Sequence, residues 1–130
     1  MRFNKSAGGS AFETVIILSL VGIFLVFAIS RFMQNVKYAK EIILQGELVN
    51  IRTSIKLYKM LNSKYPESLE EMTQNDYIMP YSEDSIIEGT YLIPNAVDEN
   101  GIPLDPFGNK YGYNRENGEI KCLTKGYKGW

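Results

Sequence analysis

The sequence predicts an α+β chain: a long N-terminal helix, apolar in its first half and amphipathic in its second, packed on a small head built from antiparallel β-sheet. Three observations predict it. Seventeen uncharged residues run from Thr14 to Ser30 between Glu13 and Arg31. From Phe12 to Leu61 only Gly22 and Gly46 weaken a helix, each at about 1 kcal/mol relative to alanine. Near the other end, Asp105-Pro106-Phe107-Gly108 has the residue order of a type I turn and is followed by two short alternating runs around Asn117-Gly118.

At ~1.5 Å per residue the uncharged run covers about 25 Å, the short end of what a bilayer needs, and Ala11, Phe12, Phe32 and Met33 lengthen it. Residues 9–34 therefore read as a membrane-crossing helix and 35–130 as a head that includes the rest of the helix. A cleaved secretory signal ending near Ala28-Ile29-Ser30 fits less well. Such signals place about 7 to 15 apolar residues directly after a basic start, whereas here Gly8-Gly9-Ser10 and an acid separate Arg2 and Lys5 from a longer run. Glu13, at the lip of the apolar run, is costly beside a membrane unless a cation pairs with it.

Past the membrane, Leu44, Leu48, Ile51, Ile55 and Tyr58 recur at spacings of four and three and lie on one stripe, which a sheet is expected to cover. Asn62-Ser63-Lys64-Tyr65 ends the helix. Pro66 at a first helical position, with Glu67, Glu70 and Glu71 after it, opens a short second helix to about Gln74. Residues 75–103, punctuated by Pro80, Gly89, Pro94, Gly101 and Pro103, read as irregular, with one strand at most near Gly89 to Ile93. After the type I turn, 110–115 and 119–124 form a hairpin about Asn117-Gly118. The terminal aromatics Tyr127 and Trp130 are placed to cover a sheet edge or an interface.

Charge is nearly balanced, 14 basic against 15 acidic residues, which argues against a general nucleic-acid binder. It is also zoned. Residues 65–109 hold ten acids and no Lys or Arg, while 31–64 and 110–130 are net basic. Such zoning suits solvated surface, a repeating assembly in which unlike zones of neighbouring copies meet, or a cation site in the acidic stretch. With one cysteine, Cys122, and no histidine, an internal disulfide, a Cys/His zinc cluster and an imidazole-based triad are excluded. Paired carboxylates could in principle serve a hydrolase, but nothing marks any pair out, and Cys122 reads as a packed strand residue.

A short basic leader ending in glycine, a Glu five residues after it, an apolar helix running into an amphipathic one and a small β-rich head together resemble the type IV pilin superfamily along the whole chain. Lys64-Tyr65-Pro66-Glu67-Ser68-Leu69-Glu70-Glu71 and Asp105-Pro106-Phe107-Gly108-Asn109-Lys110-Tyr111-Gly112-Tyr113 are most similar to the major pseudopilin of type II secretion, the second segment being the more specific.

The resemblance implies removal of residues 1–8 by a prepilin peptidase between Gly8 and Gly9, with cleavage after Gly9 as the fallback, since relatives begin with Phe or Met. It implies methylation of the new amine at Gly9, assembly through Glu13, and helix flexibility at Gly22 and at Ser30, which stands where many pilins carry proline. It implies no cofactor and no catalysis. The implied partners are copies of the same chain in a filament, minor pseudopilins or pilins, and an inner-membrane assembly platform with its ATPase. The implied location is the inner membrane before assembly and a periplasmic or surface filament after it. The calcium loop usual in the subfamily has no acids at the corresponding residues 123–129, so no metal is expected there. A true type IV or competence pilin, and a membrane-anchored periplasmic binding domain, stand as alternatives.

Overall fold

Helix α1 is Ala11–Asn62. In the computed structural model, which describes residues 11–130, it is followed by α2 (Leu69–Gln74), β1 (Asp76–Ser82), β2 (Ser85–Thr90), β3 (Tyr111–Asn114) and β4 (Glu119–Cys122). Contacts divide the chain into one unit through Tyr38 and a second of Ala39–Trp130. In the first unit, every described side chain is exposed.

The second unit has the core. Leu44, Leu48, Ile51, Ile55 and Tyr58 are all buried, as their spacing predicts, and they meet Leu69 and Met72 of α2, Tyr91 and Leu92, and Tyr111, Ile120 and Cys122 of the second hairpin. Removing each large apolar side chain from water contributes about 2 kcal/mol. The same helical face also buries Glu47 and Ser54. Glu47 is tolerated because the Tyr111 hydroxyl donates to its Oε2 at 2.7 Å. Burial and this carboxylate together drive the Tyr111 pKa upward, so the phenol stays a donor.

The sheet is not one piece. β1 pairs antiparallel with β2, and β3 pairs antiparallel with β4, as two separate ladders. The first hairpin corrects the expectation of an irregular 75–103 segment. Pro80 argued against a strand because it lacks an N–H, but both strands of a two-stranded ladder are edges, and the register slips between Pro80 and Ser82 to absorb the residue. The expected strand at Gly89 to Ile93 stops at Thr90. Leu92 instead turns inward, its N–H donating to the Met72 carbonyl at 3.0 Å.

The start of α2 is a second correction. Its N-cap is Ser68, whose hydroxyl accepts from the Glu71 N–H, and Glu71 reaches back to accept from the Glu67 N–H at 2.8 Å. Pro66 lies outside the helix, buried, and its carbonyl accepts from the Tyr113 hydroxyl at 2.7 Å. Tyr58 donates to Glu71 at 2.6 Å, so the carboxylate lifts the Tyr58 pKa to about 12 and the phenol lowers that of Glu71.

The β3–β4 turn is longer than the two residues expected, because Asn114 pairs with Glu119 and leaves Arg115, Glu116, Asn117 and Gly118 as the loop. Gly118 has φ 71°, and a Cβ there would run into the Tyr65 ring and come within 3.1 Å of Ile55 Cγ2. Gly118→Ala is therefore expected to cost about 2 kcal/mol or more, read as a lowered denaturant midpoint of the head with unchanged slope.

Candidate functional site

The functional surface predicted from sequence lies on the first unit. Gly8 and Gly9, the expected cleavage and methylation positions, lie outside the described residues. Glu13 falls in the first turn of α1, where an acid suits the helix dipole, and it is exposed among Phe12, Val15, Ile16 and Ile17. The helix is long and apolar enough to cross a membrane, and none of its most apolar window is buried. It continues through Gly22 and Ser30. A Cβ at Gly22 would meet nothing within 4 Å, so packing inside the chain does not demand glycine there. The Ser30 hydroxyl donates to the Val26 carbonyl at 2.9 Å, and Ser19 does the same to Val15 at 2.8 Å, a pattern that loosens and bends helices slightly. Arg31 closes the apolar run with its guanidinium 5.1 Å from the Phe27 ring centroid.

In the head, the second sequence motif folds around Asp105. Its backbone carbonyl accepts from the Gly108 N–H at 2.9 Å, closing the turn that the residue order predicts, and Gly108 takes φ 86°. The side chain, 2% exposed, does more. Oδ1 accepts from the N–H groups of Phe107 and Asn109 at 2.9 Å each, and Oδ2 accepts from the Thr124 hydroxyl and from Cys122 Sγ at 3.4 Å. Burial alone would raise this carboxyl's pKa. The donors from Thr124, Asn109, Cys122 and Phe107 outweigh it and hold the group ionised below the usual carboxylate range. The motif thus fastens the β4 exit to the turn before β3.

The C-terminal residues, whose pattern the sequence did not disclose, are tied down beside this knot. Phe107 and Tyr127 stack at 5.0 Å between ring centroids, and Trp130 meets Tyr127 edge-on at 5.1 Å. The Tyr127 hydroxyl donates to Glu41 Oε1 at 2.6 Å, and the Lys40 ammonium lies 5.4 Å from the Phe107 centroid. In the acidic stretch, Asp98 caps its own loop through the N–H groups of Asn100 and Ile102 and pairs with Lys110 at 2.8 Å. Among the described residues no group of three or more His, Cys, Asp or Glu side chains is placed to hold a metal ion.

A long helix with an unburied apolar half, carrying a small head of two hairpins and an ordered tail, defines the chain as a pilin-like subunit. The family model described as type II secretion system, protein G, matches residues 31–129. The chain belongs to that family, the one that its Asp105 to Tyr113 segment resembles. Similar curated proteins are the type II secretion system core protein G of Pseudomonas aeruginosa, 24% identical over 116 residues covering 87% of this chain and 76% of that one, and that of Vibrio cholerae, 24% identical with 98% and 85% covered. No solved structure matches.

Proposed function

We propose that the chain is the repeating subunit of a type II secretion pseudopilus, polymerised through its N-terminal helix. The observation that carries this reading is a helix whose apolar half is exposed throughout its described residues and whose first turn holds a single acid. Removal of residues 1–8 would free a cationic amine at Gly9. Glu13 of a neighbouring copy neutralises it inside the low-dielectric bundle of helices, where opposite charges attract far more strongly than in water. An uncleaved chain lacks that cation at the required place. Apolar helix packing then supplies the cohesion, with Gly22 and the back-bonded Ser30 giving the helix room to adjust its path.

The subunit performs no catalysis. Its assembly requires a prepilin peptidase, an inner-membrane platform with its ATPase and minor pseudopilins, and it passes from a single-span inner-membrane protein to a periplasmic filament. Hydrogen bonds to Asp105 and the Phe107, Tyr127 and Trp130 contacts fasten the tail of the head.

The test is the intact mass and N-terminal sequence of the mature protein from membranes. A start at Gly9, or at Ser10 if the cut follows Gly9, is expected. A start at Arg31 would mark a secreted soluble protein and an intact Met1 a merely anchored one; either result overturns the proposal.

A further inference from the structure

Two features of the head remain unused by this function. The β1–β2 hairpin is exposed from Pro80 to Glu88, and it carries large apolar side chains: Ile78 is 66% exposed, Tyr81 75% and Ile86 63%. Pro80 pairs with Ile86 and Ile78 with Glu88, so these four share one face of the ladder. The tip is Glu83-Asp84, and neither of these, nor Glu88, forms an ion pair among the described residues. A projecting apolar face with an acidic tip is unusual on a soluble head without a partner.

The second feature is a groove between α1 and the C-terminal tail, lined by Arg52, Gly118, Lys121, Lys128 and Trp130, which continues past Arg52 and Trp130 onto Leu48 and Val49. Its charges are Arg52, Lys121 and Lys128 against Glu119, which Lys121 pairs at 3.0 Å. Arg52 and Lys128 form no ion pair among the described residues. Val49 is 62% exposed beside them. The groove thus offers cations around an apolar strip, the complement of the hairpin in both sign and polarity.

We infer that the hairpin of one copy docks in the basic groove of a second copy, Glu83 and Asp84 meeting Arg52 and Lys128 while Ile86 and Tyr81 cover Val49 and Trp130. The inference rests on the filament reading and adds to it a contact between heads. Its geometry fits a filament, because a contact between two unlike surfaces of one chain is heterologous and each copy that docks leaves another hairpin and another groove free. A self-complementary patch would stop at a dimer. Complementary charge also selects register, since a slipped neighbour sets like charges together.

The test uses the full-length chain in a host with the complete export apparatus, reading the yield of filaments recovered from opened cell envelopes. Reversing the tip, Glu83→Lys with Asp84→Lys, is expected to lower that yield by about tenfold or more, and adding Arg52→Glu and Lys128→Glu is expected to restore it. Ile86→Cys combined with Val49→Cys is expected to give an oxidant-dependent ladder of covalent multimers that neither single variant gives. The inference is overturned if tip reversal leaves the yield at the unaltered level while Glu13→Ala abolishes it, an outcome that spares the filament reading. It is also overturned if the yield falls without rescue, since the hairpin then meets something other than this groove. An unaltered chain that forms no filament sinks both readings.

Discussion

Asp105→Ala is expected to unfold the head or leave it marginal, with a loss of about 3 kcal/mol or more. The magnitude follows from how many groups lose a partner at once. The N–H groups of Phe107 and Asn109, the Thr124 hydroxyl and the Cys122 thiol all converge on one carboxylate that is almost wholly removed from solvent. Each buried donor left without an acceptor costs about 1 to 3 kcal/mol, and hydrogen bonds to a charged group lie at the upper end. Asp105→Asn retains the shape but presents an N–H₂ where donors already point, so it is expected to recover only part of the loss. Chemical denaturation of the full chain in detergent, followed by near-ultraviolet signals of Tyr127 and Trp130, reads both. The same melt is expected to be unchanged by a calcium chelator, because the knot closes on protein donors alone.

The pH dependence follows from the direction of the shifts. The folded pKa values of Asp105 and Glu71 lie below their ordinary ones, so their contribution is complete above the unfolded carboxylate range and is lost as pH falls through the lower folded values. The head is therefore expected to hold its stability down to about pH 4 and to lose it steeply below. Asp105→Asn should flatten that slope. An acid limb of the same steepness in the variant would show that other carboxylates carry it.

How much of this the sequence disclosed depends on the range of each interaction. The buried helical stripe was legible because it follows from a spacing of three and four along one element, and the Asp105 turn because its residue preferences act within four positions. The second role of Asp105 was not legible. Thr124 and Cys122 reach it from residues 19 and 17 positions away, and only the closure of β3 on β4 brings them there. The Ser68 cap was available as a Ser-x-x-Glu pattern but was masked by Pro66, which equally well opens a helix. The first hairpin was hidden by Pro80, whose cost as a strand residue vanishes on an edge. The tail aromatics carry no periodicity, so their stacking on Phe107 emerges only from the fold. Glu47 lay unnoticed among charges, although its place on the face of Leu44 and Ile51 marks it as inward.

Glu13→Ala and Glu13→Gln are both expected to abolish filaments while leaving the head's melting unchanged. Glu13 is exposed within its own chain, and no contact of the head's core includes it, so a loss of assembly cannot be traced to unfolding. The size of the effect comes from the reference state. On the proposed pairing, each cleaved subunit that lacks the acid brings an uncompensated ammonium into a low-dielectric bundle, and breaking a buried pair by removing one partner costs about 3 to 5 kcal/mol, or about two to four orders of magnitude in each subunit's association constant. In a polymer that penalty recurs at every addition, so growth stops rather than slows. Glutamine keeps the volume and can accept a hydrogen bond but cannot neutralise the amine; filaments from Glu13→Gln at the unaltered yield would show that packing of the apolar helices alone drives assembly. Mixing provides the sharper reading. If the acid and the amine belong to different copies, as proposed, a subunit with Glu13→Ala and an intact amine can still satisfy a neighbour's acid, so co-expression with the unaltered chain is expected to rescue it in part. Failure of the variant to enter mixed filaments at all would place the acid's role before polymerisation, at recognition by the assembly platform.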